Sequence, residues 1–209
     1  MSKQKIFKFN FIERNNNQVF YINETNEKAY DGLIKNNLKN IILFGPKKSG
    51  KTFLSQIWKE KNKAIIYNKN FEFIINNYYN VIIDQKIKLS EEEKVFHIIN
   101  HCNAYNLKLL IISENKLNDL KIRLKDLNSR LKLFSTFEIL DPNDDMLRNI
   151  LIKLFEEKQF IINSQDIFTF IIRRANRSYY DMLKIVDKLD KLSLEKKRQL
   201  TIPLIKEIL

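Results

Sequence analysis

Gly45-Pro46-Lys47-Lys48-Ser49-Gly50-Lys51-Thr52 sets two glycines, a lysine and a hydroxyl at the spacing that wraps a polyphosphate. An apolar run, Ile41 to Phe44, stands directly before it and an amphipathic stretch directly after it, so strand, loop and helix occur in the order this chemistry needs. The amides of Lys48 to Thr52 would surround a β-phosphate, and the helix N-terminus would add its positive end. Lys51 would reach the β and γ oxygens, and Thr52 would hold Mg²⁺. ADP or ATP with Mg²⁺ is the expected cofactor, contacted by Gly45, Pro46, Lys47, Lys48, Ser49, Gly50, Lys51 and Thr52, with Phe53 following directly.

Asp84 closes the run Val81-Ile82-Ile83-Asp84 and is expected to meet the same magnesium through water. Many P-loop ATPases of the two-carboxylate type place a glutamate next; here that residue is Gln85. An amide orients a water but cannot take its proton, so the residues support nucleotide binding and not rapid self-sufficient turnover. Ser113, ending the run Leu109 to Ser113, is a candidate for the γ-phosphate or the attacking water, with Asn115 the alternative. Arg130 reads two ways, as a solvated charge at a helix end or as a finger into a neighbour's nucleotide. His97 and His101 lack a third ligand and read as a partly exposed helix face rather than a metal site. The phenylalanine-rich runs 71–75 and 170–174 read as core rather than as a stacking platform.

Elements must hold these residues in place. Strand-length apolar runs recur at 41–44, 64–67, 81–84, 109–113 and 136–139, separated by helical or loop segments. Strands alternating with helices predict a parallel α/β sheet covered on both faces. After Asp141-Pro142-Asn143 the period becomes helical throughout, predicting helices near 143–158, 164–175, 178–193 and 202–209, with Asn143 or Asp144 as the first cap. The predicted organisation is a peptide at 1–12, an α/β nucleotide-binding domain at 13–140 and a small all-helical domain at 141–209.

The 209 residues are enough for such a core, and an ordinary hydrophobic and charged content excludes a disordered chain. The single cysteine, Cys102, excludes a disulfide framework. The N-terminus lacks the apolar core of a signal peptide and no run is long enough to span a bilayer, so a cytoplasmic protein without a membrane partner is expected. The net charge of +12 has two readings: a polyanion-binding surface, or a coding bias that fills the chain with Lys, Asn and Ile.

The order of these parts resembles the DnaA/Hda family of AAA+ proteins. Phe20 to Asn36 is similar to the family's N-terminal box, which implies Tyr21 and Ile22 at the adenine. Leu127 to Phe134 is similar to the box that carries the arginine finger, implying that role for Arg130, and Ser113 corresponds to sensor 1. Arg198 to Leu209 is similar to the last residues of the Hda branch. The resemblance implies an AAA+ sheet followed by a helical lid and, since the chain ends at Leu209 where the lid ends, no DNA-binding domain. It also implies a sliding-clamp peptide at Gln4, Ile6, Phe7 and Phe9, although Lys5 stands where the family has leucine; an amphipathic first strand is the alternative. The sensor-2 arginine falls at Tyr180, with Arg177 one turn away as its substitute. The implied partners are the DnaA initiator, the clamp, DNA through the clamp, and a second copy of the chain. The implied function is a regulator that stimulates hydrolysis of DnaA-bound ATP; the alternatives are a self-sufficient ATPase and a DNA-binding accessory factor.

Overall fold

In the computed structural model, residues 11–14, 18–84, 87–162 and 164–209 are described. They form two compact units, one within residues 26–140 and one of the described residues up to 25 with those from 141 to 209. The first unit opens with a short helix α1 (Glu27–Tyr30) that runs on into a π-helical turn, Asp31–Lys35. It continues through β3 (Asn40–Phe44), α2 (Lys51–Asn62), β4 (Ile65–Ile66), α3 (Phe71–Ile75), β5 (Val81–Ile83), α4 (Glu92–Ala104), β6 (Leu109–Ser113), α5 (Lys125–Leu131) and β7 (Ser135–Glu138). β1 (Phe11–Arg14) and β2 (Gln18–Tyr21) precede it in the chain and belong to the second unit.

The five strands β3 to β7 pair in the order β4-β5-β6-β3-β7, and every pairing is parallel. Parallel strands need crossovers, and crossover helices bury both sheet faces, which is why these strands read as continuous apolar runs. Alternate residues bear this out. Ile42, Ile83 and Ile111 join one cluster with Val95, Ile98 and Leu127 from α4 and α5. Ile41, Leu43, Ile82 and Leu110 point the other way and are as fully buried, and Leu54 and Trp58 of α2 are buried too. The α/β class is as expected, and each strand lies within two residues of its predicted bounds.

The phenylalanine-rich segment of α3 departs from expectation. Ile74 is buried and Phe71 packs at the edge of the core, but Phe73 is 47% exposed. A five-residue helix has too few turns to bury both rings. Cys102 is fully buried, and burial pushes its thiol up to about 12, so it is an inert core residue.

The second unit pairs β1 with β2 in antiparallel register, Phe11 opposite Tyr21. Its helices are α6 (Asp144–Glu157), α7 (Asp166–Ile172), α8 (Tyr179–Lys196) and α9 (Ile202–Lys206). Asn143 caps α6 by accepting the Met146 amide at 2.9 Å, and Ser178 caps α8 by accepting the Asp181 amide at 3.1 Å. Leu147, Leu151, Phe155, Ile171, Met182 and Val186 form its core. Among the described residues no helix is long and apolar enough to cross a membrane.

Candidate functional site

The chain leaves the carboxyl end of β3 at Gly45. A methyl group there would sit 2.4 Å from the Ile139 carbonyl oxygen, so only glycine lets the loop start beside the end of β7. Lys48 (φ 64°) and Gly50 (φ 96°) are both left-handed, which turns the loop around and delivers it into α2. The chain's third glycine, Gly32, lies against the Phe137 ring on β7, where a Cβ would meet the ring at 2.2 Å. Two of the chain's three glycines, Gly32 and Gly45, therefore stand where a Cβ would collide, and the remaining one, Gly50, takes a left-handed backbone.

Lys51 is buried and its ammonium donates to the carbonyls of Gly45 at 2.8 Å and Pro46 at 2.6 Å. Burial pushes its pKa below the ordinary lysine value, while the Glu114 and Asp84 carboxylates push it back up. Asp84 follows β5 and is open to solvent, yet desolvation in the pocket holds its carboxyl above the usual range, against the pull of Lys51. A cavity of about 700 Å³ lies over these groups, lined among others by Lys47, Lys48, Lys51, Thr52, Asp84 and Ser113. It sits at the carboxyl ends of β5 and β6 beside the phosphate loop, where parallel sheets place their ligands.

These residues fit a nucleotide polyphosphate. Three lysines face one cavity. The loop presents left-handed backbone, and the Ser49 hydroxyl is buried with no hydrogen-bond partner among the described residues. Thr52 and Asp84 supply the oxygen ligands that a magnesium ion would share with water. Ser113 lines the same cavity; its hydroxyl donates to the Asn115 carbonyl at 2.8 Å and accepts the Asn115 amide at 3.1 Å. Gln85 lies outside the described residues.

Two carboxylates escaped the sequence reading. Glu114, next to Ser113, lines the cavity and pairs with Lys47 at 3.8 Å. Glu92 is buried in α4 and accepts the amides of Arg123, at 3.1 and 3.2 Å, and of Leu124 at 2.8 Å. Leu124 is the residue before α5, so Glu92 fixes the start of the helix that carries Arg130. Arg130 is exposed near the end of α5, and among the described residues its guanidinium has no partner. α5 ends shortly before β7 begins, which puts Arg130 toward the amino end of the sheet, away from the chain's own phosphate loop.

The remaining candidates lie in the second unit. Tyr21 packs against the helical core and accepts a bond from Asn149 at 3.0 Å; Ile22 follows it, half-buried. Arg177 pairs with Asp144 at 2.6 Å and donates to the Pro142 carbonyl at 3.1 Å. Tyr180 is exposed, with Lys184 over its ring at 4.4 Å. Gln4, Ile6, Phe7 and Phe9 lie outside the described residues.

A five-stranded parallel sheet with a glycine-lysine phosphate loop between β3 and α2 defines a P-loop nucleotide-binding fold. Residues 144–209 match the family model described as "Hda, lid domain". An uncharacterised protein of Haemophilus influenzae is 27% identical over 233 aligned positions, which cover 100% of this chain and 99% of that one. Domain III of the Thermotoga maritima replication initiation protein DnaA superposes with a TM-score of 0.74 at 14% identity, covering 91% of this chain and 93% of that one. AMPPCP-bound DnaA from Aquifex aeolicus gives 0.68 at 18% identity, covering 85% and 66%. The Thermotoga maritima RuvB motor also gives 0.68, at 15% identity over 89% and 68%. Residues 144–209 are thus similar to an Hda lid, and the chain shares its fold with the DnaA and RuvB structures.

Proposed function

We propose that this chain is a nucleotide-binding AAA+ adaptor of replication initiation that acts on the ATP of a DnaA-type partner. The observation that carries the reading is Arg130: exposed, without a partner among the described residues, and set toward the end of the sheet opposite its own phosphate loop. An arginine so placed has no use for its own nucleotide and suits a neighbour's, where such a finger neutralises charge developing on the transferred phosphoryl group. The lid match supports an Hda-like partner choice, and the AMPPCP of the Aquifex aeolicus DnaA structure supports a nucleotide at Gly45 to Thr52. Mg²⁺ would be held by Thr52 and, through water, by Asp84. Ser113 would sense the γ-phosphate and Arg177 would stand in for sensor 2. Gln4, Ile6, Phe7 and Phe9 would dock on the sliding clamp as an extended peptide.

The test is hydrolysis of DnaA-bound ATP on clamp-loaded DNA with this protein added. Wild type accelerates it and Arg130→Ala does not; acceleration by Arg130→Ala would put the finger elsewhere. Gln4→Ala with Phe7→Ala abolishes clamp capture, and retained capture rejects the docking peptide. Glu114 favours a second reading, in which the chain hydrolyses its own ATP and this carboxylate takes the water's proton in place of the missing glutamate. Single-turnover hydrolysis by the purified chain, compared with Lys51→Ala, separates the two.

A further inference from the structure

Two helices of the second unit end in the same way, and their ends enclose a small cavity. Gln159 (φ 56°) follows α6 and Lys197 (φ 52°) follows α8, both left-handed. After α6 the Phe160 amide donates to the Phe155 carbonyl at 2.9 Å and the Gln159 amide to that of Glu156 at 3.0 Å. After α8 the Arg198 amide donates to the Ser193 carbonyl at 3.2 Å and the Lys197 amide to that of Leu194 at 3.3 Å. Such a pair of bonds satisfies the last carbonyls of a helix and turns the chain sharply away from it. The turn after α6 sends Phe160 inward, where its ring meets Phe155 edge-on at 5.4 Å, and leaves the next residue, Ile161, 68% exposed. Leu194, in the last turn of α8, is 72% exposed. A cavity of about 350 Å³ lies between the two ends, with Phe160, Ile161, Leu194 and the buried Leu200 in its lining.

The charged side chains lining this cavity are Lys197 and Arg198, with no acid among them. Arg198 lies 3.6 Å from Glu207, and Lys196 pairs with the same carboxylate. Lys197 is exposed and meets no carboxylate among the described residues. Lys191, one turn before Leu194 on the same face of α8, is exposed and equally unpaired among them, and Lys188 continues the row by one more turn. Two acids of this helix are engaged elsewhere, since Asp187 and Asp190 hold Lys158 at 3.1 and 3.2 Å. Glu195 remains exposed, and against five cations in residues 188–198 it leaves the rim net positive. An apolar floor inside a basic rim is complementary to an apolar side chain carried between carboxylates.

We propose that this face of the helical unit binds an acidic segment of a partner protein, with a large apolar side chain of that segment in the cavity and its carboxylates on Lys197, Arg198 and Lys191. The apolar anchor supplies most of the affinity, and the surrounding cations select the partner and set its direction. A second copy of the chain does not suit the face. Two-fold pairing lays a patch on itself, which sets Lys197 and Arg198 against their own copies in a molecule whose net charge is already +12. The backbone bonds that shape the cavity are formed in the free chain, so little ordering opposes binding. The site uses no residue of the phosphate loop and does not involve Arg130.

The test is fluorescence anisotropy of the full chain with a labelled peptide, Asp-Glu-Asp-Leu-Phe-Leu-Glu-Asp-Asp, and two controls. One control carries the amide in place of every acid, and the other carries serine in place of the central Leu-Phe-Leu. The acidic apolar peptide binds, each control binds roughly tenfold more weakly or worse, and added salt weakens the complex. Ile161→Ser and Leu194→Ser, both at exposed positions, each cost roughly tenfold in affinity for the first peptide. Lys197→Gly removes the ammonium where glycine takes the left-handed backbone without strain, so peptide binding falls several-fold while the melting temperature holds or rises. Thermal melting and ADP titration of the serine variants check that the fold and the phosphate loop are intact. Failure of the wild-type chain to bind the acidic apolar peptide, equal binding of the amide control, or undiminished binding by both serine variants overturns the proposal. So does a wild-type chain that dimerises in sedimentation and comes apart in Leu194→Ser, because a second copy then covers the face.

Discussion

The two edges of one parallel sheet handle positive charge in opposite ways. At the carboxyl edge, Lys47 pairs with Glu114, and Lys51 feels both Glu114 and Asp84 while its ammonium sits on loop carbonyls. At the amino edge, Lys39 and Lys108 rest on asparagine oxygens and Lys61 on the Ile34 carbonyl. A carboxylate cancels an ammonium's field, whereas a neutral oxygen fixes its position and leaves its charge in place. The same residue type is therefore a tuned instrument at one edge and an unscreened attractant at the other.

The largest expected effect breaks the comparison at the carboxyl edge. Lys51→Ala removes the charged donor from the phosphate loop, a loss on the order of 3 kcal/mol, or roughly 100-fold in nucleotide affinity by calorimetric titration. The same change at the amino edge, Lys108→Ala, is expected to leave nucleotide affinity within about twofold, since Lys108 and the phosphate loop share no partner. An equal fall in the two variants would mean that the edges are coupled and the contrast is wrong.

Next in size is Glu92→Ala. It leaves the half-buried amides of Arg123 and Leu124 without their acceptor, at about 2 kcal/mol of stability in denaturant unfolding. Because those amides fix the start of α5, the stimulation of a partner's ATP hydrolysis proposed for Arg130 is expected to fall while the affinity for ADP holds. A full loss of stability with unchanged stimulation would separate Glu92 from the placing of Arg130.

Much of this was legible in the residues. The five sheet strands announced themselves because both of their faces are buried, and the phosphate loop because Gly45 meets a steric demand and Gly50 a dihedral one at the motif's spacing. The helices after Pro142 kept their period, and the first kept its expected cap, Asn143. The antiparallel pair β1 and β2 was not separated from the loop around it, since four-residue strands outside the main sheet carry no long pattern. Glu92 gave no signal: it stands in a run of three glutamates that looks like a solvated helix start, and its partners lie 31 and 32 positions away. Nor did the exposure of Phe73, because whether its ring faces inward is decided by one short helix and its contacts.

A smaller effect concerns pH. The raised pKa of Asp84 means the folded protein binds its proton more readily than the unfolded chain does. Ionised Asp84 therefore costs stability at neutral pH, and that cost disappears as pH falls through the raised value. Lys51 is the mirror case: its lowered pKa makes the charged form costly, and the cost is relieved as pH rises through that value. Asp84→Asn is thus expected to raise the melting temperature slightly at neutral pH while weakening Mg²⁺-dependent ADP binding several-fold. Unchanged Mg²⁺ dependence would remove Asp84 from the metal's surroundings.

The smallest stability effect carries the finest distinction. Glu114 and Lys47 form an exposed pair, worth under about 1 kcal/mol, so Glu114→Gln hardly moves the unfolding curve. Its effect on nucleotide differs between the two readings of the site. In the adaptor, Glu114 is one negative charge in a pocket meant for phosphates, and neutralising it tightens ATP several-fold without altering the slow single-turnover rate. In a self-sufficient ATPase, Glu114 takes the proton of the attacking water, and its amide loses on the order of 100-fold in rate. Tighter binding with an unchanged rate keeps the carboxyl edge a grip, and the chemistry then belongs to whatever Arg130 reaches.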